Sequence, residues 1–176
     1  MDQIIYVAVM VVTGLLFYWI TLPFTFTIRR RIVIKAPADR IFRQVNDLRN
    51  WEKWSPWHSI DPNQKITYSD PDSGQGAWYT WESTNKNVDK GKLTLEEVQE
   101  NHLIKIRLEF EKWGTSHAVM RFNDKKKEGY EVIWSMDSKM NAFSKLFGPF
   151  MRMNLGSMFQ KGLNGIKKES RRKKRQ

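Results

Sequence analysis

The chain opens with a long apolar run. Residues 4–28 carry no charged side chain, and a helix from Ile4 to Leu22 would span roughly 28 Å, close to the hydrocarbon thickness of a bilayer. We therefore predict a transmembrane anchor over residues 1–28. A cleaved signal peptide would need a positively charged start and a small-residue cleavage site, and neither precedes Arg29.

Beyond the anchor the apolar positions alternate with polar ones. The clearest case is residues 103–110, where Ile104, Ile106, Leu108 and Phe110 share one face and charged residues occupy the other. The same period of two predicts further strands at residues 31–35, 65–69, 77–83, 92–98, 117–122 and 130–136. A series of strands with one apolar face is typical of an antiparallel meander.

Helical patterns flank this meander. Short helices are predicted over residues 38–45, after Pro37, and over residues 47–54. After the last strand one helical stripe is formed by Leu146, Phe150, Met153, Met158, Leu163 and Ile166, with a kink or a late start at Gly148-Pro149. The sequence thus predicts an α+β fold, in which a curved antiparallel sheet wraps around a long C-terminal helix. A cavity lies between them if the lining side chains leave space.

Three segments resemble a known group of proteins. The run from Arg31 to Trp57 (RIVIKAPADRIFRQVNDLRNWEKWSPW) resembles the opening of the polyketide cyclase/dehydrase and lipid-transfer superfamily, also called START-like, SRPBCC or helix-grip proteins. Residues 76–81 and 156–163 are similar to its third strand and final helix. The motif Trp54-Ser-Pro-Trp57 resembles an uncharacterised branch whose members often begin with a hydrophobic anchor.

This resemblance covers residues 29–168. It implies the helix-grip fold and a hydrophobic ligand cavity, but no particular reaction, because one fold hosts many functions. We therefore predict an anchor over residues 1–28, a helix-grip domain over residues 29–168 and a basic tail over residues 169–176.

Charge is concentrated at the two ends of the predicted domain. Three arginines at 29–31, and seven cations against one glutamate in the last ten residues, supply nine of the eleven net positive charges. Nucleic-acid binders usually spread their cations along one face, so we predict no nucleic-acid partner and instead contact with anionic lipid. The predicted membrane-surface residues are Arg29, Arg30, Arg31, Arg171, Arg172, Lys173, Lys174 and Arg175. A solvated helix end is the alternative for the tail.

The same charges predict an orientation. Only Asp2 precedes the apolar run, whereas three arginines follow it. The positive-inside rule then places the domain in the cytoplasm, and the opposite face of the membrane is the alternative.

The residues that usually carry chemistry are sparse. There is no cysteine, which excludes disulfides and thiolate-bound metals. The three histidines, His58, His102 and His117, lack carboxylates at metal-ligand spacing, and residues 70–74 depart from a calcium loop. Because phosphate-binding and nucleophile-elbow motifs are also missing, we predict no metal, no cofactor and no identifiable catalytic residue.

Aromatic residues supply the strongest candidate site. Six of the eight tryptophans, Trp51, Trp54, Trp57, Trp78, Trp81 and Trp134, fall where the mouth and wall of the predicted cavity should be. The predicted cavity residues are Tyr79, Trp81, Leu93, Ile104, Ile106, Leu108, Met120, Trp134, Phe150 and Met158. A well-filled core is the alternative.

These observations predict a membrane-tethered module that binds a hydrophobic small molecule or lipid. The alternatives are a polyketide cyclase/dehydratase-type enzyme acting on a hydrophobic substrate and a ligand-responsive regulatory protein. A titratable pair facing the cavity would favour the enzyme, and a wholly apolar lining would favour the binding module.

Overall fold

The computed structural model describes residues 2–21, 24–85, 88–112, 114–140 and 148–172. Within these ranges the elements follow the predicted order of a strand, short helices, a run of strands and a long last helix. They are α1 (Asp2–Thr21), β1 (Phe24–Ile34), α2 (Ala38–Asn46), α3 (Trp51–Trp54), β2 (Lys65–Tyr68), β3 (Trp78–Glu82), β4 (Lys90–Gln99), β5 (Leu103–Phe110), β6 (Gly114–Asp124), β7 (Tyr130–Met140) and α4 (Gly148–Arg171).

The seven strands form one antiparallel sheet in the order β1-β7-β6-β5-β4-β3-β2. Strands β2 to β7 are a meander, and β1 pairs with β7 at the far edge. A bulge in β4 between Leu95 and Glu97 shifts the register, so that Leu95 pairs with Ile106 and Val98 pairs with Ile104 on the same face. The bulge therefore keeps the apolar side chains of β4 on one side of the sheet, which we call the inner face.

Helix α4 lies beside β1 and β7 and also contacts α2 and α3. Its buried stripe contains Phe159, Leu163 and Ile166, each no more than 1% exposed. Met153 is 63% exposed, so its predicted place on the stripe is wrong, and Leu146 lies outside the described residues. The residues before Gly148 lie outside the described part of the chain, so the kink or late start at Gly148-Pro149 stays a prediction. The predicted α+β class, with an antiparallel sheet and a C-terminal helix, is confirmed.

Two glycines allow α4 to approach its neighbours closely. A Cβ atom on Gly165 would lie 2.8 Å from the carbonyl oxygen of Trp54, and one on Gly162 would lie 2.8 Å from Cζ3 of Trp134. A glycine inside a helix costs about 1 kcal/mol relative to alanine. At these two positions close packing against α3 and β7 compensates for that cost.

Strand β1 is longer than predicted. It pairs with β7 from Phe24 opposite Met140 to Ile34 opposite Tyr130, whereas the alternation predicted a strand starting at Arg31. Residues 24–28, assigned to the anchor by their lack of charge, therefore belong to the sheet, and Ile28 is only 1% exposed. Aromatic and β-branched residues are common both in strands and in membrane helices. The absence of charged residues therefore could not show whether residues 24–28 belong to the strand or to the anchor.

Helix α1 precedes the sheet, and its described side chains are exposed. Every side chain from Gln3 to Trp19 is exposed, with Ile4 at 76% and Phe17 at 70%. Among the residues that the structure describes, no helix is long and apolar enough to cross a membrane.

Candidate functional site

The predicted cavity residues come together on the inner face of the sheet. Cross-strand pairs link Tyr79 to Leu93, Ile104 to Met120 and Met120 to Trp134. Seven of these residues are at most 8% exposed: Tyr79, Trp81, Leu93, Ile104, Ile106, Met120 and Trp134. Leu108 is partly buried against the same cluster and Met158 is half-buried. The side chain of Phe150 lies outside the described part of the chain.

A series of aromatic rings crosses this inner face. Phe159 of α4 stacks on Trp134, with 4.2 Å between the ring centroids, and Trp57 meets Trp134 edge-on at 5.8 Å. Trp51 then lies between Trp134, at 6.4 Å, and Tyr79, at 6.2 Å. Offset and edge-on pairs at such distances are the favourable arrangements of aromatic rings. The result is an aromatic wall that runs from α4 to strand β3.

Trp78 does not belong to this wall. It alternates with Tyr79 on β3 and therefore lies on the opposite face, where the ammonium of Lys92 is 4.8 Å from the centroid of its ring. Its grouping with the other tryptophans is thus wrong, because neighbouring residues of a strand point to opposite sides.

The buried indole nitrogens are not all paired. Buried tryptophans usually find an acceptor for their N–H group, and three of them do. Trp51 donates to the carbonyl of Val45 at 2.9 Å, Trp54 to that of Gln44 at 2.8 Å and Trp81 to that of Val88 at 3.3 Å. By contrast, Nε1 of Trp134 is buried without a hydrogen-bond partner among the described residues. The centre of the aromatic wall therefore carries a donor for which no described residue provides an acceptor.

A second polar group lies at the β3 end of the wall. His58 follows α3, and its ring centroid is 6.0 Å from that of Tyr79. Both of its ring nitrogens are buried, and neither has a hydrogen-bond partner among the described residues. Next to Tyr79, with 5.8 Å between ring centroids, Tyr68 donates its hydroxyl to Oε1 of Glu52 at 2.5 Å. We call these four residues, His58, Tyr79, Tyr68 and Glu52, the polar corner.

The aromatic and imidazole groups of the polar corner are uncharged at neutral pH. Burial lowers the pKa of His58, and the neighbouring charge of Glu52 opposes this shift. Burial also raises the pKa of Tyr79, and burial together with the hydrogen bond to Glu52 raises the pKa of Tyr68. Because a neutral imidazole has one donor and one acceptor nitrogen, His58 can serve either as a hydrogen-bond donor or as an acceptor.

The predicted membrane-surface residues differ in exposure and in their partners. Arg29 and Arg31 are exposed, whereas Arg30, between them in β1, is half-buried with its guanidinium against Gly156 of α4. This separation follows from the alternation of side chains along a strand. Arg171 is exposed near the end of α4. Arg172 is exposed too and is paired with Glu169 at 2.9 Å, and Lys173, Lys174 and Arg175 lie outside the described residues.

Residues 70–74, which depart from a calcium loop in sequence, contain bends at residues 70, 71 and 74. Asp72 forms an ion pair with Arg49, and Gly74 has a φ of +84°, a conformation that glycine adopts without strain. Across the described residues, no three His, Cys, Asp or Glu side chains are grouped so that they could hold a metal ion.

An antiparallel sheet whose apolar face packs against a long C-terminal helix is the arrangement of a helix-grip protein. The family model described as polyketide cyclase / dehydrase and lipid transport matches residues 25–171. The chain belongs to this family.

Solved structures with this fold are numerous and distant in sequence. A Chromobacterium violaceum protein is 16% identical, with a TM-score of 0.61, over 84% of this chain and 99% of its own. A Rhizobium leguminosarum protein is 11% identical, with a TM-score of 0.64, over 86% and 98%. Truncated norcoclaurine synthase from Thalictrum flavum is 15% identical, with a TM-score of 0.64, over 86% and 97%. No curated protein sequence matches the chain significantly.

Proposed function

We propose that this protein binds a hydrophobic small molecule or lipid on the inner face of its sheet. The family includes lipid transport in its description, and an apolar lining with a few placed polar groups is the usual character of a small-molecule site. The indole N–H of Trp134, which is buried without a partner among the described residues, is the observation that carries the proposal. A buried donor without a partner costs about 1–3 kcal/mol, and a ligand acceptor could satisfy it.

An enzyme acting on a hydrophobic substrate is the second candidate. It is favoured by the polar corner, where His58 and Tyr79 are titratable groups beside an apolar wall. One norcoclaurine synthase structure with this fold is described as a complex with dopamine and hydroxybenzaldehyde, which gives an example of a synthase built on the same fold. At 15% identity the similarity shows a common fold but does not indicate a common reaction. Turnover of a bound ligand would distinguish this candidate from a binding module.

Enlarging Ile106 tests the binding proposal. Ile106 is 1% exposed in the middle of the inner face, between Leu95 and Ala118 on the neighbouring strands. We expect Ile106→Phe to abolish binding of the apolar probe N-phenyl-1-naphthylamine, because the larger ring takes the space of the ligand. The free energy of unfolding should change by less than about 1 kcal/mol, since filling an open pocket causes little strain. Equilibrium dialysis of the full chain, with equal detergent on both sides, measures the binding.

Val119→Phe is the matched control, because Val119 is half-buried on the opposite face of the neighbouring strand. It should leave probe binding unchanged. A parent protein that binds no probe, together with an Ile106→Phe variant destabilised by about 1–3 kcal/mol, would show instead that these residues are a packed core.

We further propose that the N-terminal segment tethers the domain to a membrane, with the domain on the cytoplasmic side and a lipid of the adjacent leaflet within its reach. The proposal is supported by the uncharged sequence from Ile4 to Leu22 and by the exposure of the described α1 side chains around the whole helix. Exposed Arg29 and Arg171 are available to anionic headgroups, whereas Arg31, although exposed, forms an ion pair with Glu131 at 3.7 Å; a free cation contributes about 1 kcal/mol near a charged surface.

A C-terminal alkaline phosphatase fusion tests both parts of this proposal. We expect the fusion to remain in the membrane fraction after alkaline carbonate extraction and to be inactive in intact cells, because the phosphatase works only after export. The same fusion lacking residues 2–23, which leaves all of β1 in place, should move to the supernatant. Release of the full-length fusion into the supernatant by carbonate would argue against the tether. Strong phosphatase activity in intact cells would show that the domain lies on the opposite side of the membrane.

A further inference from the structure

The polar corner belongs to the same surface as the aromatic wall. The ring of His58 is next to that of Tyr79, at 6.0 Å, and Tyr79 is connected to Trp134 through Trp51. A ligand whose apolar part lay against Trp51 and Trp134 would therefore have its far end at His58.

The two nitrogens of His58 need partners that the described residues do not provide. Both atoms are closed off from solvent, and neither donates to nor accepts from another described group. A buried polar atom without a hydrogen bond is costly and is seldom left unexplained in a folded protein. The described part of the chain holds no group of three metal-ligating side chains, so the donor set around His58 suits an organic group rather than a metal ion.

The chemistry of the corner selects the kind of organic group. Neutral His58 offers one donor and one acceptor, and a hydroxyl group, which also donates and accepts, complements either nitrogen. A carboxylate would need a cation. Arg49, whose guanidinium carbon is 4.8 Å from the ring centroid of Tyr68, is already paired with Asp72. An ammonium group would need a buried anion, and Glu52, whose Oε1 accepts from Tyr68, is exposed to solvent.

We infer that His58 binds a hydroxyl group of the ligand, so that the ligand class is a hydroxylated apolar molecule, such as an alkylphenol or an aliphatic alcohol. This inference rests on the proposed function and specifies the polar end of the molecule bound there. The apolar part of the ligand contacts the aromatic wall, and its hydroxyl pairs with one ring nitrogen of His58 beside Tyr79.

Two probes of nearly equal size test the inference. Equilibrium dialysis of the detergent-solubilised full chain, with equal detergent on both sides, gives the association constants of 2-naphthol and 2-methylnaphthalene. Their ratio is then compared between the parent and His58→Phe, so that partition into detergent cancels. We expect the ratio to fall about fivefold to tenfold in His58→Phe, the factor that one net hydrogen bond provides. Binding of 2-methylnaphthalene itself should be retained.

Two further variants control for indirect effects. His58→Gln keeps both a donor and an acceptor and should preserve part of the preference for 2-naphthol. His102→Phe makes the same exchange at an exposed histidine and should leave the ratio unchanged. An unchanged ratio in a folded His58→Phe variant overturns the inference while the proposed function stands, whereas a parent that binds neither probe overturns both.

A comparison on the parent alone covers the case in which His58→Phe does not fold. The parent is expected to bind 2-naphthol about fivefold more tightly than 2-methylnaphthalene, which can neither donate nor accept, once each association constant is divided by the partition coefficient of that probe into the detergent. Equal or weaker binding of 2-naphthol overturns the inference.

Discussion

Replacing Trp134 by alanine is expected to lower the free energy of unfolding by about 3–5 kcal/mol, the range found when a large buried aromatic side chain is removed. Trp134 is 2% exposed and stacks on Phe159 of α4. Trp54 and Trp57 meet the same ring edge-on, each at 5.8 Å. Its loss would leave a cavity between the sheet and α4 that these rigid rings cannot collapse to fill. Urea unfolding followed by circular dichroism measures the change without relying on tryptophan fluorescence.

Trp134→Phe distinguishes the contribution of the aromatic ring to stability from that of the indole N–H group. It keeps an aromatic partner for Phe159 and removes a donor that has no acceptor among the described residues, so we expect a loss of less than about 1.5 kcal/mol. If Trp134→Phe were as destabilising as Trp134→Ala, the indole nitrogen would have an important partner in the folded protein. The Trp134 part of the ligand-binding proposal would then lose its basis.

The period of two in the sequence was sufficient to predict most of the sheet. Leu103–Phe110 is a strand with the predicted bounds, and its inner residues Ile104 and Ile106 are buried as expected. Side chains that alternate along a strand must face the same side as their cross-strand partners, so pattern alone placed most of the cavity candidates on one surface. The bulge in β4 was not predicted, because an extra residue in a strand leaves no distinct pattern in so short a segment.

The helical stripe was less reliable. Its predicted course included Met153, which is exposed, and omitted Phe159, which stacks on Trp134 at the centre of the core. Helical periodicity shows which residues share a face of a helix, but it does not show which face packs against the rest of the protein. In α4 the packed face includes Gly162 and Gly165, which closely approach Trp134 and Trp54. These partners are distant in the sequence, so the pattern within the helix could not indicate them.

The candidate site could be predicted in its apolar part and not in its polar part. The sequence pattern presents His58 only as a possible metal ligand, and nothing near it in the sequence indicates that both ring nitrogens are buried without partners among the described residues. The indole of Trp134 was likewise indistinguishable from those of Trp51 and Trp54, which donate to backbone carbonyls of residues 44 and 45. Whether a buried polar group is paired depends on the three-dimensional surroundings, so the pairing state of His58 and Trp134 emerged only from the structure.

Gly91→Ala is expected to destabilise the protein by about 3 kcal/mol, at the upper end of the cost of overpacking. Gly91 of β4 is directly opposite Trp81 of β3. A Cβ atom at Gly91 would overlap both the indole ring of Trp81 and the backbone carbonyl oxygen of Glu109. Alanine is ordinarily better than glycine in a strand by about 0.5–1 kcal/mol, so a net loss would show that the close approach dominates.

A double-mutant cycle with Trp81→Leu identifies the obstacle at Gly91. Removing the indole ring takes away one of the two overlaps and leaves the carbonyl of Glu109. Gly91→Ala should therefore cost less in the Trp81→Leu background, with an interaction energy of about 0.5–3 kcal/mol, the range for residues in direct contact. Urea unfolding of the parent, the two single variants and the double variant provides the four free energies. If the two single costs simply add, the ring of Trp81 does not limit the residue at position 91. The glycine would then be required only by the strand backbone at Glu109.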